Sequence, residues 1–182
     1  INFLKKEIEE ENITVVVGYK KKSIMNKFPK INYIHNPLFR DTNTAKSLLC
    51  ALKNNYDSDI IWLNGDIVFD SAILKPLIKF KRSCMLVNTN SVYDEEVKYN
   101  LNEDGSIKQV SKIINDGLGE AVGINKILKS DIKQFSKKLK ECGNNDYFER
   151  ALELIIKDGS KIYPLNISNY FCHEIDNKED LN

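Results

Sequence analysis

The sequence has little that would commit it to the extracellular space, a membrane or a nucleic acid. Its four cysteines, Cys50, Cys84, Cys142 and Cys172, are far apart and form no CxxC pair. Neither a disulfide framework nor a zinc site is expected, and a reducing cytoplasm suits the chain. No apolar run approaches the ~20 residues that cross a bilayer, and no secretory leader is visible. Charge of one sign is missing too: Lys+Arg 27 against Asp+Glu 26 gives net +1 with no basic block. That disfavours a nucleic-acid partner held through its phosphates. Arginine occurs only at Arg40, Arg82 and Arg150. There is no internal repeat and no low-complexity linker, so the 182 residues suit one domain with a sizeable core. An initiating Met is also absent, and the first residues read as the middle of a helix. The expectation is therefore a single domain over 1–182 that is N-terminally incomplete.

Among what is present, Ile60-Ile61-Trp62-Leu63-Asn64-Gly65-Asp66 says most. Four apolar residues are too few for a buried helix and read as a strand covered on both faces, as in a parallel sheet. A carboxylate at the carboxyl end of such a strand lies where open α/β sheets bind ligands. A second acidic group, His173-Glu174-Ile175-Asp176, also follows an apolar stretch. If the fold brings the two together, Asp66, Glu174 and Asp176 offer oxygen ligands to a divalent cation. The plainer reading is that Asn64-Gly65 turns the chain and Asp66 caps a following helix.

The rest of the pattern alternates between helix and strand. An amphipathic helix is expected over 1–11, a β-branched strand over 13–17 and a second strand over 31–34, broken by His35-Asn36-Pro37. A helix over 44–54 follows a cap within 41–43, then strand 60–64 and a helix over about 71–80. Strands at 83–89 and 97–101 precede a hairpin turn at Glu103-Asp104-Gly105-Ser106 and a strand at 107–112. A short strand at 121–125, helices at about 129–141 and 145–158 and a strand at 161–165 complete a mixed α/β sheet.

Several polar residues stand where such a sheet can use them. Gly18 ends the Val-rich strand, and Asn43, Thr44 and Ser47 begin a helix whose N–H groups can receive a nucleotide or phosphate, or simply be capped. Glu120 lies between Gly119 and Gly123, where glycine permits close approach of a ligand or marks a bulge or tight turn. Tyr147 and Glu149 open a helix; they follow the helix dipole, or form half of a cage for a ligand cation. His35 reads as structural. His173 has no Ser or Cys nucleophile signature beside it and is not assigned as a base.

In order, Val15-Val16-Val17-Gly18-Tyr19, Asn36-Pro37…Thr42-Asn43…Ser47-Leu48, Asn64-Gly65-Asp66, Gly119-Glu120…Gly123-Ile124 and Glu174-Ile175-Asp176…Asp180-Leu181 resemble the small-molecule nucleotidyltransferases. The likeness is to the bacterial phosphocholine cytidylyltransferases, relatives of the sugar-1-phosphate nucleotidyltransferases. It implies a Rossmann-like mixed, mostly parallel sheet with helices on both faces, of the nucleotide-diphospho-sugar transferase type and lacking its N-terminal strand. It implies transfer of CMP from CTP to a small phosphorylated acceptor, with release of pyrophosphate, for decoration of a cell-surface polysaccharide or lipid. Asp66 and Asp176 would be catalytic and, with Glu174, would hold Mg²⁺. Gly18, Asn43, Thr44, Ser47 and Gly65 would line the nucleotide, and Glu120, Tyr147 and Glu149 the acceptor. The partners implied are CTP or another NTP and the acceptor, with no nucleic acid, no membrane and a possible homodimer. The Gly-rich basic loop that opens these enzymes, of the form L-A-A-G-x-G-x-R…P-K, does not occur between Ile1 and Asn182.

Three other readings share the fold: a sugar-1-phosphate nucleotidyltransferase using UTP, dTTP or GTP, a non-catalytic nucleotide-binding module, and a glycosyltransferase. The last usually carries Asp-x-Asp, whereas Asp66-Ile67-Val68 lacks the second Asp.

Overall fold

The computed structural model describes residues 1–53, 57–90, 96–175 and 177–179. Asp176 and Asp180-Leu181 of the sequence motifs lie outside the described residues. A short βαβ unit comes first: β1 (Thr14–Val17) and β2 (Asn32–His35) pair in parallel across α1 (Lys21–Lys27). The helix α2 (Thr44–Leu52) leads to β3 (Ile60–Leu63), β4 (Ile67–Phe69), a 3-10 turn at Ser71–Ile73 and α3 (Leu74–Lys79). Strands β5 (Cys84–Asn88), β6 (Lys98–Leu101), β7 (Ile107–Ser111) and β8 (Glu120–Ile127) follow. Last come α4 (Lys129–Glu141), α5 (Phe148–Lys157), β9 (Tyr163–Asn166) and β10 (Cys172–Glu174).

The main sheet runs β7-β6-β8-β5-β9, and β3 pairs with β8 as well. It is mixed: β5–β9 is parallel, whereas β8 is antiparallel to β3, β5 and β6. The strand at 60–63 thus has an antiparallel neighbour, not the parallel one its unbroken apolar run suggests. It reads as apolar because both faces of the sheet are covered. Ala45, Leu48 and Leu52 of α2, Ile132, Phe135 and Leu139 of α4 and Leu152 and Ile155 of α5 bury one face with Trp62, Met85 and Val87. Ile73, Leu74 and Leu77 cover the other face with Leu86 and Ile124. Each such side chain contributes about 1.5–3 kcal/mol by leaving water.

Strands β1 and β2 form a sheet of their own, and among the described residues neither β1 nor β3 has a partner on its second edge. Helix α2 packs on β1 and β2 with one part of its surface and on α4 and α5 with another. Residues 1–11 are not one helix but isolated 3-10 turns at Leu4–Lys6 and Glu10–Asn12. Neither turn buries a residue or has a side-chain cap, and a segment that short does not repay helix nucleation.

Candidate functional site

The carboxyl ends of β3 and β10 meet. Asp66 does not cap a helix; it leads directly into β4, and the cap is Asp70, whose Oδ1 accepts from Ala72 N at 2.9 Å. β4 pairs antiparallel with β10, placing Glu174 opposite Ile67, and Ile175 N donates to the carbonyl of Asp66 at 2.9 Å. Asp66 and Glu174 therefore flank one strand pair. Asn64 Nδ2 donates to Glu174 Oε1 at 3.1 Å across 110 residues of chain. Among the described residues no group of three or more His, Cys, Asp or Glu is arranged to hold a metal ion. Asp66 and Glu174 nonetheless provide the donor type of a hard cation, which Mg²⁺ takes as one or two carboxylates completed by water and phosphate oxygens.

A wider acidic face adjoins this pair. Cys172 has its thiol pushed up to about 12, by burial first and then by Glu174 and Glu120, so both carboxylates lie near it. Asn88 Nδ2 donates to Glu120 Oε1 at 3.3 Å. Glu149, in the first turn of α5, is pushed up to about 7, chiefly by burial and further by Glu174 and Glu96, against its own backbone N–H and Lys112. The face of Tyr147 carries the Nζ of Lys112 at 5.2 Å from the ring centroid, so the cation on this aromatic is the protein's own.

The glycines serve the chain's own packing. Gly123 (φ +69°) sits at a bulge in β8, where a Cβ would fall 2.8 Å from Ile67 Cδ1 and 3.0 Å from Asn64 Nδ2. At Gly119 a Cβ would lie 2.5 Å from the carbonyl of Asn88. Close approach here is by protein atoms, which settles the choice between ligand room and bulge in favour of the bulge. Gly65, by contrast, is exposed and open.

The remaining sequence candidates lie at the start of α2. Asn43 Oδ1 accepts from Thr44 N at 2.8 Å, Thr44 Oγ1 accepts from Phe148 N at 3.0 Å, and Ser47 Oγ accepts from Asn36 Nδ2 at 3.2 Å. Gly18 packs on Phe39. These groups hold α2 to the α4–α5 connection and to the turn after β2. His173 and His35 are both exposed, at β10 and at the end of β2. Asn64, Asn88, Glu96 and Lys112 were missed in the sequence. Asn64 alone had a signal there, as the residue ending an apolar run beside Gly-Asp; a single lysine among many has none. A shallow concavity over the β6–β7 turn, lined by Leu101, Asn102, Glu103, Asp104 and Lys108, shares no residue with this site.

This architecture is the nucleotide-diphospho-sugar transferase fold. The inositol-1-phosphate CTP transferase from T. maritima superposes with a TM-score of 0.81 at 18% identity, over 99% of this chain and 76% of that one. The CTP:phosphocholine cytidylyltransferase LicC from Streptococcus pneumoniae gives 0.74 at 16% identity, over 100% and 79%. HddC from Yersinia pseudotuberculosis gives 0.70 at 16%, over 98% and 79%. At these identities the likeness is one of fold. In sequence, the chain is 29% identical over 120 residues to the bifunctional protein GlmU of Methanococcus maripaludis, covering 59% of this chain and 28% of that protein. The chain thus spans little more than a quarter of that curated relative. No family model matches.

Proposed function

We propose that this chain is a nucleotidyltransferase domain that transfers CMP from CTP to a small phosphorylated acceptor and releases pyrophosphate. One observation carries the reading. The fold of two CTP-using enzymes extends over nearly the whole chain, and at the carboxyl end of β3 it brings together two carboxylates distant in sequence, Asp66 and Glu174.

In this reading an acceptor phosphate oxygen attacks the α-phosphorus of CTP, the bond to the bridging oxygen breaks, and pyrophosphate leaves. Both reactants are anions, so the chief requirement is charge compensation and in-line placement, with little acid–base work. Asp66 and Glu174, with Asp176, would hold Mg²⁺. The ion supplies positive charge between the phosphates. Gly18, Asn43, Thr44, Ser47 and Gly65 are proposed on the nucleotide side, and Glu120, Tyr147 and Glu149 on the acceptor side. Lys112, beside Tyr147 and Glu149, adds a cation suited to the acceptor phosphate. The product would be an activated head group for cell-surface decoration, made in the cytoplasm.

A sugar 1-phosphate acceptor with another nucleotide is the second reading, favoured by the GlmU match and by HddC, which has also been solved with GMP-PN. Pyrophosphate release, measured for each NTP against phosphocholine, inositol 1-phosphate and sugar 1-phosphates, separates the two. Asp66→Ala is expected to lower turnover about a hundredfold or more with unchanged circular dichroism. Undiminished turnover would remove Asp66 from the reaction.

A further inference from the structure

Asn64 joins three segments at one point. Its backbone N–H extends the β3–β8 ladder to the carbonyl of Gly123 at 3.1 Å, and its side chain donates to Glu174 on β10 at 3.1 Å. Room for that side chain comes from Gly123. A Cβ there would lie 3.0 Å from Asn64 Nδ2, and φ +69° is a conformation that L side chains rarely adopt. The bulge at Gly123 thus re-aims the sheet edge toward β4 and β10.

The chemistry of the pairing is specific. A glutamate on a three-residue strand has several rotamers to sample, and one charge-assisted hydrogen bond selects among them. A lysine in place of Asn64 would cancel the charge of Glu174, and an aspartate would repel it. An amide donor orients the carboxylate and leaves its charge available. We infer that Asn64 is a positioning residue that fixes Glu174 beside Asp66, and that Gly123 is the position that admits it. The inference rests on the cation-dependent reading given above.

Titration of the protein with Mn²⁺, following the free-ion electron paramagnetic resonance signal without nucleotide, tests it apart from activity. Asn64→Ala is expected to weaken Mn²⁺ binding about ten- to a hundredfold, the usual effect of removing a group that orients a metal ligand. Gly123→Ala should weaken binding in the parent, and weaken it less in the Asn64→Ala background, where the amide it would strike is gone. Circular dichroism of each variant at the titration temperature confirms that the folded protein is being measured. If the parent binds Mn²⁺ and Asn64→Ala binds it equally well, the inference fails and the cation reading stands. If the parent takes up no Mn²⁺, both fail.

Discussion

Glu149 is the residue whose ionisation the fold alters most usefully for an experiment. Its ordinary value is near 4.5, and burial, with Glu174 and Glu96 in support, raises it to about 7 in the folded protein. Between those two values the folded chain holds a proton that the unfolded chain has released. Stability therefore falls as pH rises through that window and is flat above it. Glu149→Gln removes the ionisation. Relative to the parent, the variant should gain about 1–2 kcal/mol above pH 7 and nothing below pH 4.5, a half-buried carboxyl keeping less than its full shift as stability. Urea unfolding of both proteins at the two ends of the window reads the difference, and parallel pH profiles would contradict it. Glu149 was legible in the sequence as an acidic residue opening a helix. Its environment was not, because Glu174 and Glu96 reach it only through the fold.

At the scale of the element, α2 joins the two sheets. Lys46 Nζ donates to the carbonyls of Leu139, Lys140 and Cys142 at 3.4, 3.2 and 2.5 Å, placing a cation on the carboxyl end of α4. Lys46→Met keeps the aliphatic stem and removes that charge, and should cost about 1–2 kcal/mol in urea unfolding. Thr44 meanwhile caps α5 from outside that helix, through Phe148 N. Helix α4 begins and ends where its apolar spacing predicts, because Ile132, Phe135 and Leu139 line one buried face. The cap at Asn43 was equally legible, being encoded within four residues. Cross-helix caps such as Thr44 to Phe148 are not, since 104 residues separate donor from acceptor. The stretch 1–11 misleads for the opposite reason. Its spacing is helical, but no partner surface rewards the helix.

For the whole molecule, the mixed sheet and its two covered faces follow from the order of apolar runs and turns. The hairpin at Gly105 (φ +76°), with Asn102 N donating to Ser106 O at 2.8 Å, stands where Asp-Gly-Ser places it. The separation of β1 and β2 from the main sheet was not legible, because strand composition reports burial but not the neighbour that supplies it. That separation predicts a hierarchy of opening. Strand β8 is paired along both edges and β5 lies between β8 and β9, whereas β1 has β2 alone. Amides of β5 and β8 should exchange with deuterium roughly a hundredfold or more slowly than those of β1 and β2. Equal protection across both sheets would show that they open as one cooperative unit.

The clasp between β4 and β10 also sets a schedule. Asn64 and Glu174 are 110 residues apart, so during synthesis Asp66 emerges from the ribosome roughly 5–20 s before Glu174 does. Throughout that interval the two carboxylates cannot meet. The cation centre proposed for them is thus born last, after the strands and helices that must carry it have been made.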